Sequence, residues 1–213
     1  MLHLQVFTFN PFSENTYLIY NDEGAACLFD PGCSNAREQS ELTSFLKEHR
    51  LHLEALFLTH AHIDHILGYA WVYDTYSLKA RASEKEIPVF QRGAESAMLF
   101  GVAYEEGPGL QTDLHHGDTL NIIGDSWELR EAPGHSPGSI LFIHHGMKWV
   151  IAGDVLFQES IGRTDLPGGN QHALFQSIHK QVYSLPDDYT VFPGHGPETT
   201  VGHEKQFNPF LRA

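Results

Sequence analysis

Apolar and polar side chains alternate along residues 2–9. Two short apolar runs, 16–20 (Thr-Tyr-Leu-Ile-Tyr) and 26–30 (Ala-Cys-Leu-Phe-Asp), flank Asn21-Asp22-Glu23-Gly24, a hairpin turn sequence. The pattern predicts an antiparallel meander, ended by Asp30-Pro31-Gly32. Residues 35–49 place Leu42, Phe45 and Leu46 among charged residues at helical spacing. Leu53-Glu-Ala-Leu-Phe-Leu-Thr59 then reads as a short strand, and 66–78 as a helix. Residues 79–116 carry the weakest pattern, with a helix near 94–104 and a break at Gly107-Pro108-Gly109. Strands return at 119–123, 126–131, 139–144 and 147–152. Leu174, Ile178 and Val182 share one face of an amphipathic helix over 170–183, and a last strand follows at 189–192. Two loosely matching halves of strands followed by a helix predict an α+β chain, its two sheets sandwiched between helices. With no linker, low-complexity tract or sharp repeat, residues 1–213 read as one domain.

Composition narrows the function. A chain of 213 residues buries roughly 70% of its unfolded surface and needs no staples. Its 41% hydrophobic and 19% charged content is that of a soluble globular protein, and no apolar run approaches the ~18 residues of a membrane span. The N-terminus lacks the basic and apolar segments of a secretory signal, so a cytoplasmic location is expected. Cys27 and Cys33 alone suit neither a disulfide framework nor a Cys-based zinc site and are expected to be inert. Thirteen Lys and Arg against 27 Asp and Glu, without a basic cluster, argue against nucleic-acid binding. Fifteen His form the compositional outlier, and they point to metal.

The strongest signal is His60-Ala61-His62-Ile63-Asp64-His65, between a predicted strand and a predicted helix. Imidazoles at i and i+2 of an extended segment project to one side and can share an ion. Asp64 and His65, where the chain turns into the helix, can face a second ion. An H-x-H-x-D-H string is expected by chance only about 0.004 times in a chain of this composition. Three further candidates end predicted strands in turns rich in Gly or Pro: His135 in Pro-Gly-His-Ser-Pro-Gly, Asp154 in Ala-Gly-Asp, and His195 in Pro-Gly-His-Gly-Pro. The remaining histidines, including His115-His116, His144-His145, His172 and His179, are expected in solvated turns or on helix surfaces. A non-catalytic metal-binding module is a separate reading, but a structural site needs only four ligands and no shared carboxylate.

From Asp30-Pro-Gly to the final His motif, the chain resembles the metallo-β-lactamase superfamily. The resemblance implies an αββα sandwich, two mixed sheets between helices. It implies two divalent ions, zinc first with iron or manganese as alternatives. His60, His62 and His135 would hold one, Asp64, His65 and His195 the other, with Asp154 bridging and Asp30 supporting from behind. Asp64 and Asp154 are then the carboxylates of catalysis. A bridging Asp is not a feature of the true β-lactamases, which argues against antibiotic hydrolysis.

Within the superfamily, Gly162-Arg-Thr-Asp-Leu-Pro-Gly-Gly169 and Asn208-Pro-Phe-Leu211 resemble short glyoxalase II-like hydrolases. A thioester such as S-lactoylglutathione is the implied small-molecule substrate, attacked by a metal-bridging hydroxide. With 18 residues after His195, the helical domain that supplies glutathione contacts in full-length glyoxalase II is not expected here, and Arg163 stands near the place of its Lys motif. The same Gly-Arg-Thr-Asp stretch also resembles the single-iron persulfide dioxygenases, which is the alternative chemistry. Lactone or phosphodiester hydrolysis is a further alternative within the fold. Tyr69, Phe100, Tyr104 and Arg163 are candidate pocket residues.

Overall fold

The computed structural model describes residues 1–211, so the last two residues of the expected 1–213 domain lie outside the description. β1 (Leu2–Phe9), β2 (Glu14–Asn21) and β3 (Ala25–Phe29) form the antiparallel meander. Asn35 then caps α1 (Ala36–Glu48) by accepting from the amides of Arg37 and Glu38. This helical crossover returns the chain so that β4 (His52–Phe57) adds parallel to β3, and β5 (Ala80–Arg81) parallel to β4.

The second sheet contains β6 (Thr119–Ile122), β7 (Asp125–Glu131), β8 (Ile140–His144) and β9 (Trp149–Gly153). β12 (Thr190–Pro193) and β13 (Thr199–Thr200) extend it in the order β13-β12-β9-β8-β7-β6, with only β12 and β9 parallel. β10 (Leu156–Phe157) and β11 (Ser160–Ile161) pair as a separate two-stranded ribbon.

Period-two alternation distributes each strand between two cores. Tyr17, Ile19, Cys27, Phe29 and Phe57 meet Trp127, Leu129, Phe142 and Ile151 between the sheets. Leu18, Ala26, Leu28 and Leu56 face the other way, against Leu42 and Leu46 of α1, α3 (Tyr69–Tyr76), α4 (Ile87–Phe90) and α5 (Gly93–Phe100). Leu141, Ile143 and Val150 cover the outer face of the second sheet with α6 (Gln171–Ser177), its π-helical continuation Ile178–Val182, and α7 (Val201–Phe207). These layers are the expected αββα sandwich of two mixed sheets between helices. Both faces of the central strands are buried, which explains their nearly continuous apolar sequences.

Several boundaries differ from the sequence reading. The helix expected over 66–78 is broken at Leu67 and Gly68, giving α2 (Ile63–Ile66) and α3. Gly68 donates to the Pro31 carbonyl at 2.7 Å, and a Cβ there would overlap Cys33. The 94–104 helix stops at Phe100, where Gly101 takes a left-handed conformation. His144 is not a solvated turn residue: it ends β8, buried beside Trp127 with ring centroids 4.9 Å apart. Cys27 and Cys33 are free and buried, and burial pushes both thiols up. Among the described residues, no helix is long and apolar enough to cross a membrane.

Candidate metal centre

The sandwich brings the ends of both sheets to one place. β4 leads through Leu58 and Thr59 into His60 and His62, and the chain turns at once into α2, carrying Asp64 and His65. His135 follows β7, Asp154 follows β9, and His195 follows β12. Main-chain bonds join the two edges: Ile140 N donates to Thr59 O at 2.9 Å, and Asn15 N to Gly194 O at 2.7 Å. Gly194 is required where it stands, because a Cβ would overlap Asp154 Oδ1.

Three imidazoles converge on one side. His135 Nε2 lies 3.1 Å from His60 Nε2 and 2.8 Å from His62 Nδ1. The tautomers follow from the far nitrogens. Thr59 Oγ1 donates to Asp30 Oδ2 at 2.6 Å, so at 3.1 Å it accepts from His60 Nδ1. His135 Nδ1 donates to the Arg163 carbonyl at 2.8 Å. In their neutral forms His60 and His135 therefore face each other with bare Nε2 lone pairs, an arrangement that a cation between them relieves. On the other side, His195 Nε2 lies 3.1 Å and His65 Nε2 3.8 Å from Asp64 Oδ2. His195 Nδ1 faces the carbonyls of Phe12 and Ser13 at 3.1 and 3.2 Å.

Asp154 spans both groups. Its Oδ2 is 3.4 Å from His135 Nε2 and 3.6 Å from His195 Nε2, and its Oδ1 is 3.4 Å from His65 Nε2. Asp154 Oδ1 and both nitrogens of His65 are buried without a hydrogen-bond partner. Asp30 Oδ2 does approach His65 Nδ1 to 3.1 Å, an ion-pair distance without hydrogen-bond alignment. Orphaned buried donors and acceptors of this kind fit a site built for a cation. His60, His62 and His135 can hold one ion, and Asp64, His65 and His195 another, each set having ligand atoms within 4.8 Å of one another. The same closeness holds for Asp30, His60 and His65, but Asp30 Oδ1 accepts from Thr59 N at 2.7 Å and its Oδ2 from Thr59 Oγ1, which suits it to a supporting place.

Electrostatics divides the cluster. Burial, with neighbouring imidazoles, holds His60 well below the ordinary His range and His62 at about 3. Burial lowers His135 too. Burial also penalises a charged His65, but Asp64, Asp154 and Asp30 outweigh it and raise this imidazole well above its usual range. His195 is raised against burial by its bond to Asp64 and by Asp154. Burial works against ionised Asp64 and Asp154, yet His65 leads the neighbours that hold both carboxyls below the usual range.

Two buried acids escaped the sequence reading. Glu86 Oε2 accepts from Ala61 N at 2.8 Å, and Oε1 from Ser136 Oγ at 2.5 Å and Gly138 N at 2.6 Å. One carboxylate thus ties the His60–His62 segment to the His135 turn. Glu14 lies fully buried 3.9 Å from His65 Nδ1, and burial raises its carboxyl well above the usual range. No local pattern marks either: Glu86 belongs to the charged triplet Glu84-Lys85-Glu86, and only long-range folding shows its partners.

A cavity of about 970 Å³ opens over the cluster and includes His62, Asp64, His135, Asp154 and His195 in its lining. Phe100 and Arg163 line it, as anticipated; Tyr69 and Tyr104 do not. Tyr69 turns into the helix-side core, packs under Gly107, and takes part through its hydroxyl in a 3.1 Å bond from Ala80 N. Tyr104 packs on Gly93 behind α5, and burial pushes its hydroxyl up to about 12.

An αββα sandwich with a His/Asp cluster at one joined edge defines a class of metal-dependent hydrolases. The model for the metallo-β-lactamase superfamily matches residues 9–195, and the chain belongs to that superfamily. Hydroxyacylglutathione hydrolase GloC of Haemophilus influenzae is 35% identical, the match covering 100% of this chain and 99% of the relative. The crystal structure of the BLEG-1 B3 metallo-β-lactamase is similar at a TM-score of 0.91 and 37% identity, covering 99% of this chain and 100% of the other. The crystal structure of TTHA1623 in a di-iron-bound form is similar at a TM-score of 0.87 and 36% identity, covering 97% and 100%.

Proposed function

We propose that this hydrolase cleaves thioesters of the S-lactoylglutathione type at a two-ion centre, with His60, His62 and His135 holding one ion, Asp64, His65 and His195 the other, and Asp154 shared. The observation that carries the reading is Asp154: its two oxygens reach His135, His195 and His65 at 3.4 to 3.6 Å, spanning both groups. Zinc is the first choice; the di-iron form of a 36% identical relative keeps iron as the alternative. The chemistry that divalent ions would supply when held by these residues is a lowered pKa of bound water, toward about 7, and polarisation of a carbonyl. The residues of the chain do the rest. Asp30 through Thr59 aims His60, and the Arg163 and Phe12 carbonyls aim His135 and His195. Asp64 and Asp154 stay ionised and offset the charge of the ions. The His and Asp side chains that line the cavity are the proposed ligands, Glu95 is paired with Arg92, and among the described residues no Lys, Cys or Tyr lines it. That suits a thiolate, which departs without a strong protein acid, better than an amine or alkoxide.

The test is S-lactoylglutathione hydrolysis by the metal-loaded protein in oxygen-free buffer, beside Asp154→Ala. Oxygen-independent turnover lost in the variant supports the proposal. Absence of turnover, with oxygen consumed when glutathione persulfide is supplied to the iron form, replaces it with dioxygenase chemistry. The likeness to the BLEG-1 enzyme favours β-lactam cleavage as a second reading despite the sequence expectation. A chromogenic cephalosporin in the same assay decides it.

A further inference from the structure

The cavity over the centre is walled largely by carbon, with Phe12, Met98, Leu99, Phe100, Phe157 and Ile161 in its lining. Three of these are consecutive on α5, and Met98 and Leu99 are 85% and 76% exposed. Within α5 only Gly93 and Ala97 are buried, so the C-terminal end of the helix presents three bulky apolar side chains to water beside the site. An exposed run of this kind is disfavoured unless something binds it. The wall is also referenced to the centre. Phe12 receives His195 Nδ1 on its carbonyl at 3.1 Å, and its ring meets Phe100 edge-on at 5.6 Å.

The charged groups of the cavity are already engaged. Arg92 forms two bonds to Glu95 and Arg163 two to Asp165, all between 2.7 and 3.0 Å. The volume of about 970 Å³ leaves room for an apolar arm beside the reacting thioester.

We infer that the substrate is a thioester bearing an apolar arm, an alkyl chain of several carbons or an aromatic ring, seated against Phe12, Met98, Leu99 and Phe100. This rests on the thioester reading for the bond that reacts, while the apolar subsite itself is measurable without turnover. S-methylglutathione and S-hexylglutathione are thioethers that share one carrier and cannot be hydrolysed as thioesters, so calorimetry with the metal-loaded protein isolates the arm. Each buried methylene is worth up to about fourfold. Five methylenes, part covered, are expected to tighten binding by more than about tenfold. Met98→Ser/Leu99→Ser replaces two solvent-facing side chains, which spares folding as checked by thermal melting, and should reduce that ratio to less than about threefold. A ratio near one in the unsubstituted protein, or an unchanged ratio in the variant, overturns the inference. Lack of turnover with any thioester, beside an intact ratio, sinks the proposed reaction and leaves the subsite standing. Turnover with a flat ratio does the reverse.

Discussion

The imidazoles in the two halves of the candidate centre, three in one and two beside Asp64 in the other, are biased in opposite directions. His60, His62 and His135 are kept neutral by burial and by one another, His62 falling to about 3. His65 and His195, on the other side of Asp154, are biased toward the protonated form against burial by carboxylates. The difference lies in the neighbours. Asp154 is the carboxylate within ion-pair distance of His135, at 3.4 Å, whereas His65 has Asp154, Asp30, Asp64 and Glu14 within 3.9 Å. Under the two-ion reading, the first half receives a cation without releasing protons, and the second gives up protons to do so.

Removing the residue common to both halves should have the largest effect. Asp154→Ala is expected to lower kcat/KM by more than about a hundredfold, beyond the 10- to 100-fold typical of a supporting residue; initial rates on the metal-loaded protein check it. Glu86→Ala attacks the first half alone. It strands Ala61 N, Gly138 N and Ser136 Oγ, each worth about 1–3 kcal/mol when left unsatisfied, so urea unfolding should show a loss of about 3 kcal/mol. Affinity for one ion should fall about 10- to 100-fold while the other is nearly kept. A variant that loses stability but binds both ions unchanged would reduce Glu86 to a purely structural role.

A pH change should separate the halves with no substitution. Groups whose pKa is raised hold their protons below it, and a metal must displace them, so affinity falls as pH falls. The raised His65 and His195 put the second half in that regime, at about tenfold per pH unit for each proton displaced. His60 and His62, already unprotonated, leave the first half nearly flat. Competition with a chelator at several pH values reads both slopes.

The smallest effect is expected at Arg163. Its carbonyl, not its side chain, fixes His135, and its exposed guanidinium is paired with Asp165. Arg163→Ala should change kcat/KM on a thioester by less than about threefold, whereas a larger loss would show the side chain reading substrate.

Much of this organisation was legible because it is local. Candidate ligands stood in strand-ending turns rich in Gly or Pro, and the alternating and helical periods outlined both sheets and the helices on them. What escaped depends on contacts across the chain. Nothing beside Gly68 announces that Pro31 O will take its amide and split the helix. Tyr69 follows the metal segment in sequence, yet α3 turns it into the core under Gly107. Glu86 reads as one more surface acid until folding brings Ala61 and Ser136 to it. Phe12, in the β1–β2 turn, gains its place only when His195 arrives from the far end of the chain. The β10–β11 ribbon and α7 were missed because their elements are short, and their anchor, Glu204, is again a buried acid with distant partners.

The most direct test of the account is a zinc titration of the metal-free protein against a chromophoric chelator at pH 8 and at pH 6. Two equivalents per chain at pH 8, one of them released at pH 6 while the other is kept, is the expected result. A single equivalent at pH 8, or two that weaken equally on acidification, would contradict the division of the centre into a half with depressed imidazoles and a half with raised ones.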